Sequence, residues 1–142
     1  GVRPAHTYLY FVILSPVGAY YPEGMNPVKI LVVDKYVRAV EGGVGAAKTS
    51  GNYAASLYAA EEAKHQGYTQ VLWLDGVHRR YLDEVGTMNI MVKIGDEVAT
   101  PPLTGAILPG VTRDSVLTLL REWGLRVRER QVSIDEVWAA SK

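Results

Sequence analysis

The sequence has 142 residues, of which 48% are hydrophobic and 21% are charged, a composition typical of a globular domain with a buried core. Lysine plus arginine and aspartate plus glutamate number 15 each, so the chain lacks the basic excess of a nucleic-acid-binding protein. The absence of cysteine excludes disulfides and thiolate metal sites, and the three histidines are not spaced as metal ligands, so no metal site is predicted.

The first half of the chain predicts two strands, a glycine-rich loop and a helix. Thr7–Leu14 (TYLYFVIL) is rich in aromatic and β-branched residues, which favours a buried strand. The prolines and glycines of SPVGAYYPEGMNP predict a loop and a domain boundary after it. Val28–Val40 predicts a second strand region, bent near Asp34. After the glycine loop, Asn52 as N-cap and Gly67 just beyond the end delimit a predicted helix.

The second half predicts short strands and two further helices. TQVLWLDG is typical of a short buried strand, and turns at Gly86 and Gly95 connect the short strands that follow. TRDSVLTLLREWG has helical periodicity, with Thr112 as N-cap and Gly124 just beyond its end. LRVRERQVSI alternates as a strand does, and the Ser-x-x-Glu of SIDEVWAASK opens a last helix. This mixture predicts an α+β fold with mixed, barrel-like curvature of the sheet.

Three features concern the setting and extent of the chain. The apolar stretch YLYFVILSPVGAYY is interrupted by Ser15 and Pro16 and is too short to span a bilayer. No pattern of a signal peptide is visible, so a cytoplasmic location is expected. The sequence begins without methionine and almost directly in a predicted strand, which suggests a piece of a longer protein.

The glycine-rich loop EGGVGAAKTSGNYAAS, Glu41–Ser56, contains a single lysine, Lys48, and allows three interpretations. GGVGAAKT nearly fits the nucleotide-binding pattern G-x-x-x-x-G-K-[ST], with Ala47 in place of its last glycine. That pattern requires the helix to begin at the Lys-Thr pair, whereas the predicted helix begins only at Asn52. The loop is otherwise an ordinary turn with a solvated lysine, or Lys48 is an amine nucleophile.

A nucleophilic lysine needs a tight, partly desolvated setting, because only the neutral amine attacks a carbonyl. If the carbonyl belongs to pyridoxal phosphate, the chain must also supply a carboxylate for the pyridine nitrogen and an anion site for the phosphate. Glu84, in a turn between strands, is the candidate carboxylate. Gly110, Val111 and Thr112, at a predicted helix start, are the candidate anion site. Each has a plain alternative as a surface acid or a helix cap, but together they favour the cofactor.

These segments resemble a known family. KTSGNY, VLWLDG, DEVGTMN and PPLTGAILPGVTRDS are similar, in this order and spacing, to the branched-chain amino acid aminotransferases. These enzymes belong to the fold-type IV, D-alanine-aminotransferase-like group that uses pyridoxal 5′-phosphate. The resemblance implies that residues 1–14 are the last strand of a small domain, 15–27 an interdomain loop, and 28–142 an incomplete large cofactor-binding domain.

The resemblance also implies roles for individual residues. Lys48 forms the Schiff base with the cofactor and moves protons during catalysis, and Tyr53 bonds the cofactor's phenolic oxygen. Glu84 binds the pyridine nitrogen. Gly110, Val111 and Thr112 hold the phosphate. On the substrate side, Thr87 lies near the substrate carboxylate, Gly86 shapes that turn, and Tyr20 lines the substrate pocket.

The implied reaction is transamination between leucine, isoleucine or valine and 2-oxoglutarate, carried out by a homodimer. Members of the family are much longer than this chain. We therefore expect a piece of an aminotransferase that holds the catalytic lysine without a full site and is inactive or nearly so by itself. D-amino-acid aminotransferase and aminodeoxychorismate lyase of the same fold remain alternatives, as does a folded fragment without catalytic activity.

Overall fold

The computed structural model describes residues 1–19, 22 and 24–140, and these ranges contain six strands and three helices. The predicted α+β class is confirmed. Tyr20 lies outside the described residues. In chain order the elements are β1 (Ile30–Val33), α1 (Ser50–His65), β2 (Gln70–Leu74), β3 (Leu82–Val85), β4 (Val92–Ile94), β5 (Glu97–Thr100), α2 (Val111–Glu122), β6 (Arg126–Glu129) and α3 (Ile134–Ala140).

The strands form two three-stranded sheets, and each sheet is mixed. In the first, β2 is central, with β1 parallel to it on one side and β3 antiparallel on the other. In the second, β5 is central, with β4 antiparallel and β6 parallel. Parallel neighbours need a crossover connection, and α1 supplies it between β1 and β2.

The core lies on both faces of β2, which explains why its sequence is a continuous apolar run. Because side chains alternate along a strand, Val71 and Trp73 face Ala59 and Ala63 of α1. Leu72 and Leu74 face the other way. They pack in a second cluster, whose further buried members are Leu82, Val85, Ala99 and Val132.

The predicted end of α1 is confirmed, and its predicted start is wrong. Gly67, with φ +79°, follows the helix in the left-handed conformation that favours glycine. The helix begins at Ser50 with Thr49 as N-cap, two residues before the predicted start. Asn52 is not the cap, because its side chain turns back and donates to the carbonyl oxygens of Val44 and Ala47, 2.9 and 3.1 Å away.

For the other two helices, some predicted end residues are confirmed and one is wrong. Gly124, with φ +76°, lies just past the C-cap residue of α2 as predicted. Thr112 is not the N-cap of α2, because the helix already begins at Val111 and Gly110 occupies the cap position. At α3 the predicted cap is confirmed: the Glu136 amide donates to the Ser133 hydroxyl oxygen over 3.1 Å.

The predicted strand Thr7–Leu14 is wrong for this structure. The segment has no strand geometry and its side chains are exposed. A strand requires a neighbour for its backbone hydrogen bonds, and within the described ranges no strand pairs with it. Of the second predicted strand region, Val28–Val40, only Ile30–Val33 forms a strand, β1, which ends immediately before the expected bend at Asp34. None of the helices in the described ranges has the length and apolar composition needed to cross a bilayer.

Candidate active site

Lys48 lies in the loop between β1 and α1, two residues before the helix begins. Its ammonium nitrogen lies 4.5 Å from the centroid of the Tyr53 ring, which is in the first turn of α1. The sequence predicted a partly desolvated setting for this lysine. The structure differs, because the Lys48 side chain is exposed.

The glycine loop is a packed turn. The amides of Gly43 and Ala47 donate to the carbonyl oxygens of Val40 and Val44, three residues earlier in the chain, over 3.1 and 3.0 Å. Gly45 is buried so closely against Ala106 that an added Cβ would lie 2.2 Å from the Ala106 carbonyl oxygen. Nucleotide phosphates are bound by loop amides that point outward. Since two of these amides are bonded internally, the loop geometry disfavours nucleotide binding independently of where α1 begins.

The hydroxyl oxygen of Tyr53 is buried, and the described part of the chain offers it no hydrogen-bond partner. A buried polar group in that condition costs on the order of 1–3 kcal/mol. Such an orphaned hydroxyl beside an amine fits a site in which a bound molecule supplies the missing oxygen acceptor.

Glu84 lies on β3 and is only 1% exposed, so the prediction of a turn residue is corrected to a buried strand residue. One carboxylate oxygen, Oε2, lies 2.8 Å from Nε of Arg38. The other, Oε1, accepts hydrogen bonds from the Leu108 amide at 2.7 Å and from the Asn89 side chain at 3.4 Å. Every bond to this carboxylate is therefore donated by a different segment of the chain.

The pKa of Glu84 reflects this setting. Burial raises it above its usual value, while the Leu108 amide and the positive charges of Arg38 and Lys48 oppose the rise. The influence of Lys48 places its ammonium within electrostatic reach of Glu84. The neighbouring Asp83 has no ion pair within the described ranges, and burial, together with the charges of Asp75 and Glu84, raises its pKa to about 7.

Arg38 is a site residue that was not recognised from the sequence. It is 6% exposed, and besides Glu84 it donates to the carbonyl oxygens of Ala106 at 2.7 Å and Gly45 at 3.3 Å. Its signal was present in YVRAV, where one arginine interrupts an apolar run just before the glycines. A charge in such a run must find a buried partner, but sequence alone does not identify the partner.

The residues predicted to bind the phosphate lie together with Thr87, which was predicted to lie near the substrate carboxylate. They are in a different part of the structure from Lys48 and Glu84. Thr87, Gly110, Val111 and Thr112 line one cavity of about 520 Å³. Gly110, the N-cap residue of α2, makes no side-chain capping bond, so the amides of the first turn have no such partner within the described residues. A helix N-terminus with uncapped amides favours an anion.

Asn89 and Gly110 join the cavity to the Glu84 carboxylate. Asn89 lines the cavity, bonds Glu84, and donates to the Leu108 carbonyl oxygen over 2.9 Å. It packs so closely on Gly110 that an added Cβ there would lie 2.2 Å from its side-chain oxygen. Asn89 was also missed from the sequence, where nothing in GTMNIM distinguishes it from a turn residue.

Gly86 has a packing role in this structure. It adopts φ +54°, and an added Cβ would lie 2.1 Å from the side-chain oxygen of Gln70. Its amide donates to the Val71 carbonyl and its carbonyl accepts from the Trp73 indole. Gly86 is not among the residues that line the cavity, and its part in substrate binding stays a prediction, as does that of Tyr20.

Comparisons with known proteins bear on this arrangement. Residues 3–142 match the sequence model of the family described as Amino-transferase class IV. The chain is 57% identical, over 142 residues, to branched-chain-amino-acid aminotransferase 2 of Bacillus subtilis (strain 168). That alignment covers 100% of this chain and 39% of the relative, so the chain spans about two fifths of the relative's length.

Solved structures of branched-chain amino acid aminotransferases are also similar to this chain. The branched-chain amino acid aminotransferase of Escherichia coli is similar with a TM-score of 0.80 and 33% identity, over 89% of this chain and 41% of that one. The branched-chain amino acid aminotransferase from Thermobaculum terrenum, solved in its PLP-form (holo-form), is similar with a TM-score of 0.72 and 29% identity. The match covers 78% of this chain and 36% of that one.

Proposed function

Because the chain belongs to the class IV aminotransferase family, we propose that its protein transfers the amino group of leucine, isoleucine or valine to 2-oxoglutarate. The observation that carries the proposal is the amine of Lys48 over the ring of Tyr53, whose buried hydroxyl has no partner within the described chain. The substrates are proposed from the relative named a branched-chain-amino-acid aminotransferase, of which the chain covers 39%.

The proposed cofactor is pyridoxal 5′-phosphate. Its support is the fit of the residues present: an amine, an orphaned buried hydroxyl, a buried carboxylate, and an uncapped helix start. The PLP-form in which the similar Thermobaculum terrenum enzyme was solved agrees with this choice. When bound, this cofactor supplies an electron sink that makes the α-proton of an amino acid acidic.

In this proposal the residues of the chain divide the work. Lys48 holds the cofactor, removes the α-proton of the amino acid, and returns a proton to the α-carbon of the incoming 2-oxo acid. Tyr53 would donate a hydrogen bond from its hydroxyl group to the phenolic oxygen of the cofactor. Glu84 accepts a hydrogen bond from the protonated ring nitrogen, and the amides of Val111 and Thr112 hold the phosphate.

The two half-reactions exchange one amino group for one oxo oxygen. Leucine becomes its 2-oxo acid, and 2-oxoglutarate becomes glutamate, so atoms balance without a further reactant. Because the first 2-oxo acid leaves before 2-oxoglutarate binds, the reaction should show ping-pong kinetics. A homodimer and a cytoplasmic location stay predictions from the family resemblance.

The test uses the full-length protein with each branched-chain L-amino acid and 2-oxoglutarate. Lys48→Ala is expected to lower kcat by more than about 10³-fold, since it removes the group that transfers the proton. Lys64→Ala, an exposed lysine in the last turn of α1, is the matched control and is expected to stay near the wild-type rate. Turnover of D-alanine, or lyase activity on aminodeoxychorismate, in place of leucine would assign the chain to another activity of the same fold.

A further inference from the structure

Arg38 occupies the junction of three segments. Its guanidinium bonds the Glu84 carboxylate on β3, the Gly45 carbonyl in the glycine-rich loop, and the Ala106 carbonyl in the loop that leads to α2. The side chains of Arg38 and Glu84 are 4% and 2% exposed, so this ion pair is buried.

We propose that Arg38 is a positioning residue with two roles. It keeps the buried Glu84 carboxylate ionised, and it orients Oε2 of Glu84 toward the ring nitrogen of the cofactor. This inference rests on the proposed function. A protonated ring nitrogen needs a negative acceptor. A buried carboxyl group is neutral unless a nearby positive charge compensates its loss of hydration. The charge of arginine does not depend on pH in the working range, so it is a constant compensation.

The hydrogen bonds also determine which oxygen is available. Each carboxylate oxygen has two acceptor positions. Oε1 uses both, one for the Leu108 amide and one for the weaker bond from Asn89. Within the described chain Oε2 accepts from Arg38 alone, so it retains one acceptor position. Because Arg38 fixes Oε2 from one side, the remaining position has a defined direction.

Arg38 also relates the carboxylate to the lysine. Gly45, whose carbonyl it bonds at 3.3 Å, lies three residues before Lys48 in the same packed loop. The guanidinium thereby links the loop of the amine to the strand of the carboxylate. Loss of Arg38 is expected to disturb both the charge of Glu84 and its placement relative to Lys48.

The first test measures stability in the cofactor-free, full-length protein, where activity plays no part. The charged groups that act on Glu84 are Arg38, Lys48 and its strand neighbour Asp83. In Arg38→Met the Glu84 pKa should rise further. An acid whose folded pKa exceeds its unfolded pKa loses stability as pH rises between the two values. The folding equilibrium constant of Arg38→Met should therefore fall, relative to wild type, by up to tenfold per pH unit as the pH rises from the wild-type Glu84 pKa, itself above the usual 4.5, to the higher pKa of the variant.

Two further variants identify the cause. Adding Glu84→Gln to Arg38→Met should abolish the extra pH dependence, while the titration of Asp83 remains in both backgrounds. Arg113→Met is the matched control, because Arg113 is equally buried and bonds a carbonyl and a carboxylate, Pro101 and Glu129, away from Glu84. It should lower stability without adding pH dependence in this window, since the arginines lower the pKa of Glu129 and their loss returns it only to its usual range.

The second test measures the affinity for pyridoxal phosphate by equilibrium dialysis. Arg38→Met and Glu84→Gln should each weaken binding about tenfold, and the double variant should be no weaker than Glu84→Gln alone, because the two residues act through one carboxylate. Arg38→Lys retains the charge and should bind within about threefold of wild type. If Arg38→Met does not fold, Arg38→Lys replaces it as the test. A tenfold loss of affinity for pyridoxal phosphate in Arg38→Lys would then overturn the proposal.

The outcomes separate this proposal from the proposed function. If Arg38→Met titrates like wild type and its loss of affinity adds fully to that of Glu84→Gln, Arg38 is only structural and the proposal fails. If the coupling is present but the protein does not transaminate leucine, the positioning role stands and the proposed substrates are wrong.

Discussion

The candidate site has two ends that are built differently. The carboxylate end, around Glu84 and Arg38, is buried, and its oxygens are bonded by other segments of the chain. The cavity end, at Val111 and Thr112, is exposed, and its helix N-terminus has no side-chain cap within the described residues. Residues at the first end therefore affect folding as well as binding. Residues at the second end should affect ligand binding almost alone.

The largest contrast is expected between alanine substitutions at the two ends. Glu84→Ala leaves Arg38 buried without its anion and should destabilise the protein by about 3–5 kcal/mol. Thr112→Ala, on an exposed residue that is not a cap, should change stability by less than about 0.5 kcal/mol and weaken the affinity for pyridoxal phosphate. Urea unfolding of the cofactor-free variants and equilibrium dialysis measure the two effects. Equal loss of stability in both variants would remove the distinction between the ends.

Two glycines near Lys48, one in the glycine-rich loop and one in α1, sharpen the contrast. Gly45→Ala forces a Cβ against the Ala106 backbone, 2.2 Å from its oxygen, and should destabilise by roughly 3 kcal/mol because backbone cannot move aside easily. Gly51→Ala is the matched change, since Gly51 lies within α1 with open space around it. It should stabilise the cofactor-free protein by about 0.5–1 kcal/mol. Thermal unfolding decides, and a neutral Gly45→Ala would show that the loop packs less tightly than described.

Asp83, the residue next to Glu84 on β3, tests how completely the carboxylate end is buried. It is buried like Glu84 but has no ion pair within the described ranges, and its pKa is raised to about 7 from the usual 3.8. The wild type should lose stability as pH rises from about 4 to 7, because the unfolded chain releases this proton first. Asp83→Asn should therefore gain about 4 kcal/mol relative to wild type at pH 8 compared with pH 4, since each pKa unit corresponds to about 1.4 kcal/mol.

The control for Asp83 is Asp96→Asn, on an exposed residue in the turn between β4 and β5. Its stability should differ from wild type by less than about 0.5 kcal/mol at both pH values. A pH-independent difference for Asp83→Asn would mean that this carboxyl group is hydrated, and that burial at this end is less complete than the structure indicates.

Tyr53 should give the smallest change, with opposite signs for stability and binding. Tyr53→Phe removes a buried hydroxyl that has no partner in the described chain, so the cofactor-free protein should gain about 1 kcal/mol. The same variant should bind pyridoxal phosphate more weakly, because the bound form loses a hydrogen bond. Tyr58→Phe, on an exposed ring of the same helix, should change neither quantity appreciably. A loss of stability in Tyr53→Phe would indicate that its hydroxyl is already bonded without the cofactor.

The difference between the two ends also explains what the sequence could predict. Gly67, Gly124 and Ser133 marked helix ends correctly, because capping depends on a few neighbouring residues. Thr7–Leu14 was predicted as a strand from its composition, but a strand also needs a partner. That information does not lie in the segment itself.

Site residues followed the same division. Val111 and Thr112 were recognisable because an anion site at a helix start is a local pattern, although their predicted role is still untested. Arg38 was not recognisable, because its meaning depends on Glu84 and Ala106, which are 46 and 68 residues away in the chain. Long-range partners of buried charges become visible only in the folded structure.

The central claim is that the chain folds so as to present Lys48, among its lysines, to the aldehyde of pyridoxal phosphate. The direct measurement is borohydride reduction of the full-length protein with stoichiometric cofactor, followed by digestion and mass spectrometry. We predict one reduced pyridoxyl phosphate group, on the peptide that contains Lys48, and its absence in Lys48→Ala. Labels distributed over Lys29, Lys35, Lys64 and Lys93 without preference for Lys48 would contradict the account.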